Sequence, residues 1–337
     1  MRATAISIAT GIVALLSAVT AIADEPLTLR FAIPGASPMS TTYTKVFQPW
    51  IERIDADGGG SVKIQAFFNI ANFQNVYDRV VNAVTDIGYG GTGAMGGKFP
   101  GASVVELASD VIGSREAAGA YWKIFEDGLI AADYAEVRPL AFFAFPQNML
   151  TSPKPLSSLA DVKGMRVAVL SKGAGEIVER LGGAAMSSNP AAFYETLQRK
   201  TADAVIVGWN GLIVFKLTEV TNNHFAQGLD SGGGHIVMNK GVYAGLPAKA
   251  RQAIDRNTGS AASQALGASW DKLYSDAQDA VRRMPGQRIV TPTPADHDRF
   301  KRDVIDPMTE EWVKRTPNGA AILAAYRAEA ARIGRAR

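Results

Sequence analysis

The hydrophobic pattern of this chain switches repeatedly between a period of two and a period near 3.6. Leu27 to Ile33 alternates apolar and polar positions in strand-forming residues and predicts a first strand. Over Thr42 to Asp55, Phe47, Trp50, Ile51 and Ile54 recur at helical spacing, and Gly58-Gly59-Gly60 ends that helix. Val62 to Phe68 predicts a second strand, Asn75 to Val84 a helix and Thr85 to Tyr89 a third strand. Two β-α-β units in succession define a first α/β lobe. Ser114 to Phe125 reads as a helix with Ala117, Tyr121, Trp122 and Phe125 on its apolar side, and Ala141 to Phe145 as a buried strand.

A second set of the same kind runs from Asp161 to Gly208. Strand Arg166 to Leu170 leads into a small-residue turn over 171–175. A helix (Glu176 to Leu181) follows, then a glycine stop at Gly182-Gly183 and a short strand. A helix over Ala191 to Arg199 and an apolar strand, Ala204 to Val207, close the set. This βαβαβ order predicts a largely parallel sheet, and ligands of such sheets collect at the carboxyl ends of the strands.

Between the two sets, Pro146-Gln147-Asn148 and Pro153-Lys154-Pro155 flank Leu150-Thr151-Ser152. This Pro-rich passage predicts a crossing between lobes. Asp230 to Gly234 predicts a second crossing, and His235 to Asn239 a strand returning to a sheet. Pro247, a good first-turn residue, opens a helical pattern reaching Met284. Those 38 residues would span about 57 Å at 1.5 Å per residue. Ile289 to Thr291 reads as a short strand, and Phe300 to Glu311 and Ala320 to Ile333 as closing helices. The expected fold is an α/β protein of two lobes with a hinge and one long helix spanning both. Residues 24–146 and 234–276 form lobe I, and 147–233 and 277–337 form lobe II.

Length and composition fit this picture. The chain has 337 residues, 47% of them apolar and 20% charged, an ordinary globular balance for two lobes. Residues 1–23 read as a cleaved secretory signal. Arg2 opens it, an uncharged run from Ala5 to Ala18 follows, and Ala21-Ile22-Ala23 is an A-x-A site. An uncleaved anchor is the alternative; the run is short for a spanning helix and lacks a basic stop-transfer flank. The mature chain, expected in a periplasm, carries 34 basic and 32 acidic residues, scattered rather than patched, which speaks against nucleic acid. There is no cysteine, so disulfides and thiolate chemistry are excluded. His224, His235 and His297 show no metal-ligand spacing, and no G-x-S-x-G elbow or histidine-based dyad supports an enzyme.

Three features invite a chemical reading. Gly88-Gly90-Gly93 and Gly91-Gly93-Gly96 each match G-x-G-x-x-G. The glycines and proline of Met95 to Gly101 cannot open the helix a dinucleotide needs, so a turn that lets backbone approach a ligand or the other lobe fits better. Arg166, beside an apolar strand, either pairs at the edge with Asp161 or Glu179 or grips an anion with its planar fork. Trp209, at a strand end, is either core or a surface on which a ligand ring stacks.

Several motifs resemble one family. D-x-K-G-x-R-V (Asp161 to Val167), G-(A/G)-A, F-Y-E-x-L-Q-R (Phe193 to Arg199) and A-D-A are similar to those of the solute-binding proteins of tripartite ATP-independent periplasmic (TRAP) transporters. So are L-x-E-V with a downstream histidine (Leu217 to Val220, His224) and the Leu246-Pro247 helix start. The resemblance covers essentially the mature chain. It implies a non-enzymatic monomer: lobes that close on a small organic acid, a long helix across both lobes, and docking on a membrane permease. It implies that Arg166 binds the substrate carboxylate, and that Gly91 and Thr92, in a loop ending in F-P, border the cleft. His224 reads as a structural partner rather than a ligand contact.

The chain also departs from the family. Gln147 and Asn148 stand where a second arginine is common, and Val207 where an asparagine reaches the substrate carboxylate. With Trp209 and the Phe142-Phe143-Phe145 strand, these departures point to an aromatic or apolar monocarboxylate. The expected contacts are Arg166, Gln147, Asn148, Trp209, Val207, Gly91, Thr92 and Phe145, with no cofactor and no metal. A C4-dicarboxylate, with Gln147 and Asn148 on its far carboxylate, and a 2-oxo acid held with a metal ion are the alternatives. A periplasmic enzyme on the same lobes is the rival from another class.

Overall fold

Two mixed β-sheets, each flanked by helices, build the protein in a computed structural model that describes residues 26–107 and 113–335. The signal segment expected over Met1 to Ala23 lies outside the described residues. The first sheet contains β1 (Leu27–Ala32), β2 (Val62–Phe67), β3 (Ile87–Gly91), β4 (Val137–Ala144) and, from further along the chain, β10 (Gly233–Asn239), in the order β2-β1-β3-β10-β4. The first three strands are parallel, and β10 runs antiparallel to both β3 and β4. Helices α1 (Gln48–Gly58), α2 (Val76–Val81) and α3 (Ser114–Glu126) cover this sheet. Phe31, Phe47, Trp50 and Phe143 fill its core on one side, Tyr121, Tyr134 and Phe142 on the other.

The second sheet is formed by β5 (Asn148–Ser152), β6 (Arg166–Val169), β7 (Ala184–Ser187), β8 (Ala204–Val207), β9 (Asn223–Asp230) and β11 (Arg288–Val290), in the order β11-β9-β5-β8-β6-β7. β6, β7 and β8 are parallel, as the βαβαβ order demands. Helices α4 (Lys172–Arg180), α5 (Phe193–Gln198) and α6 (Trp209–Val214) follow these strands. The residues read as a small-residue turn are already helical: Ser171 is the N-cap of α4, its hydroxyl accepting from the Ala174 N–H.

Two chain crossings join the lobes side by side. Phe145 N–H donates to the Gly232 carbonyl at 2.7 Å, and the Ser231 hydroxyl donates to the Phe145 carbonyl at 2.7 Å. Two short helices, α7 (Lys240–Ala244) and α8 (Ala248–Arg256), then precede α9 (Ser260–Arg283). The single long helix expected from Pro247 to Met284 is therefore interrupted. Gly259 adopts φ +105°, a conformation outside any helix, and its N–H bonds the Leu140 carbonyl instead. α9 still joins the lobes: Leu266 and Trp270 enter the core of the first sheet, Ala277 and Val281 that of the second.

The tail divides between the lobes, unlike the expected assignment of 277–337 to lobe II. Phe300, which ends α10 (Pro294–Phe300), packs with Val304 and Ile305 on the second sheet. α11 (Asp306–Arg315) straddles the two. Its Trp312 donates to Ser103 of the first lobe at 2.8 Å, and its Glu311 pairs with Arg180 of the second at 2.6 Å. α12 (Gly319–Arg335) lies on α3, with Ile322, Tyr326 and Ala330 in the core of the first lobe.

Candidate functional site

The topology brings particular strand ends to face one another. In the second sheet, the carboxyl ends of β6, β8 and β9 and the amino end of antiparallel β5 share one edge, because Met149 pairs with Val207 and Asn148 with Asp230. In the first sheet, the ends of β1, β3 and β4 and the start of β10 share the opposing edge. Between these edges lies a cleft of about 190 Å³. An apolar cavity of roughly 150 Å³ is large enough for benzene, so this one has room for a single substituted ring.

Aromatic side chains stand along the wall on both sides. Tyr89 and Phe145 come from the first sheet, Phe73 from the loop before α2, and Trp270 and Tyr274 from α9. The Phe145 and Trp270 rings meet edge to face at 5.0 Å, and Phe143 stacks on Trp270 from behind at 5.9 Å. This backing holds the wall in a fixed orientation. Val207, Ile206, Phe193 and Phe215 supply apolar surface from the second lobe. Asn210 of the second lobe and Thr42 of the first meet across the cleft, Nδ2 to Oγ1, at 3.4 Å.

The polar end of the cleft is at the hinge. Asp230, at the end of β9, is buried, 3% exposed. Its Oδ1 accepts from Asn148 Nδ2 at 3.1 Å and its Oδ2 from the Ser171 hydroxyl at 3.0 Å. Burial pushes its pKa up to about 6, against the pull of those two donors and of its own backbone N–H. Behind it, from the first lobe, stands Glu106. Its Oε1 lies 2.6 Å from the Thr92 hydroxyl, which is also 3.1 Å from the Gly233 carbonyl. Burial raises the Glu106 carboxyl to about 7, with the Asp230 charge adding to the rise. No Lys, Arg or His is among the described residues lining the cleft.

Four of the eight residues expected from sequence line this cleft: Gly91, Phe145, Asn148 and Val207. Four do not. Arg166 begins β6, whereas the cleft takes the other end of that strand at Leu170 and Ser171, about 13 Å away at 3.3 Å per residue. Its side chain is 48% exposed, with Nε 3.1 Å from Asp203 and Nη2 donating to the Lys200 carbonyl at 2.8 Å. It is the edge arginine of the alternative reading, with Asp203 as partner rather than Asp161 or Glu179. Arg166 holds the Asp203 carboxyl well below the usual carboxylate range. Gln147 points to the far side of the hinge, over Gly228. Trp209 is 1% exposed and packs its ring on His224; its indole hydrogen-bonds the Tyr274 hydroxyl and so acts behind the wall. Thr92 is buried behind Gly91 and Gly93, bonded to Glu106. His224 is held between Thr151 and Gln287, each at 2.7 Å.

Asp230, Ser171, Trp270 and Tyr274 were not singled out from sequence. Asp230 and Ser171 sat in stretches read only as a crossing and a turn. Among the described residues no cluster of three or more His, Asp or Glu could hold a metal ion.

Two α/β lobes, hinged by paired strands around an aromatic cleft, define a solute-binding protein of the periplasmic type. The chain belongs to the bacterial extracellular solute-binding protein family 7 (DctP), whose family model matches residues 35–315. This is a family of binding proteins, not of enzymes. A TRAP solute-binding protein from Rhodoferax ferrireducens, in complex with copurified benzoate, superposes with a TM-score of 0.86 at 21% identity, over 92% of this chain and 99% of that one. A marine-metagenome TRAP solute-binding protein specific for aromatic acids, in complex with 3-hydroxybenzoate, gives 0.84 at 22% identity, over 91% and 98%. The outer membrane transporter protein TsaT of Comamonas testosteroni is 28% identical over 324 residues, 91% of this chain and 92% of TsaT.

Proposed function

We propose that this protein captures an aromatic monocarboxylate in the interlobe cleft and delivers it to a TRAP-type membrane permease. The observation that carries the reading is the wall of Phe73, Tyr89, Phe145, Trp270 and Tyr274 around a space for one ring. The benzoate and 3-hydroxybenzoate bound by its structural neighbours support the same ligand class. The carboxylate is held without an ion pair, by uncharged donors, since no cationic side chain among the described residues lines the cleft. Closure follows from differential contact: a ligand touching both walls stabilises the closed state more than the open one. The mature chain begins after Ala23 and works in the periplasm as a monomer. A C4-dicarboxylate is disfavoured, because Gln147 faces away and a second carboxylate would meet Asp230.

A thermal-shift screen tests this. Ligand at 100 times its dissociation constant should stabilise the protein by about 2.7 kcal/mol. A shift with benzoate, hydroxybenzoates or mandelate, and none with succinate or malate, is expected. A shift with the dicarboxylates alone overturns the reading.

A further inference from the structure

The aromatic-acid reading leaves one feature of the cleft unexplained. Its buried ionisable side chain carries the same sign of charge as the proposed ligand. A carboxylate placed against Asp230 in so small a space would be repelled unless a proton lay between the two. Yet Asp230 is not incidental packing. Asn148 and Ser171 each donate to one of its oxygens, from β5 and from the cap of α4, and all three line the cleft. Each carboxylate oxygen has two acceptor sites. Those two side chains and its own backbone N–H, which also hydrogen-bonds the carboxylate, leave one of the four sites for a ligand.

We propose that Asp230 is a specificity-determining residue of the cleft. It selects an aromatic acid that turns its carboxylate away and presents a hydroxyl hydrogen to the Asp230 carboxylate. The proposal rests on the aromatic-acid reading and narrows it to hydroxylated acids. The charges around Asp230 agree with it. Glu106, from the first lobe, is the carboxyl near it, and Arg315 of α11 acts on Glu106 rather than on Asp230. Gly93 stands between the lobes here: a Cβ on it would lie 3.1 Å from Ser171 Cβ and 3.4 Å from Glu106 Oε1. The Thr92 hydroxyl has a single proton for two acceptors, Glu106 and the Gly233 carbonyl. Below about pH 7 the chain closes with Glu106 as the protonated member, donating to Thr92, which donates to Gly233; above it Thr92 donates to the Glu106 carboxylate. Asp230 is then the carboxylate left to accept from a ligand. Tyr89 and Tyr274 line the cleft as neutral phenols, burial raising both. Lys172, next to Ser171, pairs with Glu176 at 3.7 Å.

The consequence separates two kinds of aromatic acid. An acid without a hydroxyl leaves Asp230 unpaired, so it binds well only when Asp230 has taken up a proton. A hydroxylated acid of the right geometry pairs with the ionised group and needs none. Calorimetric titration of the full mature protein with benzoate and each of the three hydroxybenzoate isomers, from pH 5 to pH 8, reads this directly. At pH 8 at least one isomer is expected to bind tenfold or more tighter than benzoate, as for a hydrogen bond to a charged group. Benzoate should weaken with rising pH toward tenfold per unit, the limit for uptake of one proton. The favoured isomer should stay within about twofold. In Asp230→Asn the isomer-to-benzoate ratio should fall to within about twofold and the pH slope for benzoate should vanish.

Isomers no better than benzoate at pH 8, or a ratio that survives in Asp230→Asn, overturns the inference while leaving the aromatic-acid reading standing. No binding of any aromatic acid at any pH overturns both. If Asp230→Asn does not fold, the wild-type pH series decides alone.

Discussion

At the residue scale, placement rather than residue type decides what a side chain does. Arg166 has the planar fork suited to a carboxylate, but it begins its strand at the edge away from the cleft and spends that fork on Asp203 and the Lys200 carbonyl. Arg166→Ala should leave ligand affinity within about twofold. It should cost no more than about 1 kcal/mol of stability, the range of exposed ion pairs. Calorimetry and urea unfolding read the two, and a loss of binding would return the arginine to the site. Phe145 is the contrary case. It lines the cleft, supports Trp270 and sits at the hinge crossing. Phe145→Ala should weaken an aromatic ligand by tenfold or more, through lost ring contact and a loosened Trp270, as a direct titration would show.

At the element scale, the helices that frame the cleft are set by a few close approaches. α9 crosses α3 at Gly267, where an added Cβ would lie 2.5 Å from the Ser114 carbonyl oxygen and 2.7 Å from Arg115 Cα. Both are backbone and cannot swing away. Gly267→Ala should therefore destabilise by about 1–3 kcal/mol, the usual cost of overpacking, seen as a lower melting temperature. An unchanged midpoint would mean the helices separate freely. α1 was plain in the sequence because it buries one face at helical spacing, and β8 because it is a short apolar run buried on both faces. The break before α9 was not, since Asn257-Thr258-Gly259 interrupts no hydrophobic period. It is made by contacts from elsewhere: Trp50 donates to the Asn257 carbonyl and Gly259 bonds Leu140.

At the scale of the whole molecule, folding brings two carboxyls from different lobes to one buried place. Glu106 rises to about 7 and Asp230 to about 6, each mainly through burial. Both therefore hold protons more tightly in the folded state than in the unfolded chain, where their ordinary values are near 4.5 and 3.8. Between about pH 4 and pH 7 the folded state binds more protons, and the stability these two groups contribute falls as pH rises through that window. His224 and His235 are shifted down by burial and act in the opposite sense, so the comparison must be between variants. Glu106→Gln should lose less melting temperature than wild type between pH 5 and pH 8, by a few degrees. Parallel pH profiles would show that Glu106 is not taking up the proton.

The sequence by itself determined the two-lobe α/β architecture, the hinge crossings, the family and the aromatic character of the β4 strand. These follow from hydrophobic period, from proline and glycine placement and from local motifs, all of which act within about 20 residues. Only the tertiary structure decided which strand ends meet. Pleat and direction send Leu170, Ser171 and Asp230 to the cleft and Arg166 away from it. The pairing of Asn148 with Asp230, 82 residues apart, was invisible along the chain for the same reason. A buried carboxyl acquires its acceptor role from neighbours supplied by three separate segments, and none of them marks it in sequence.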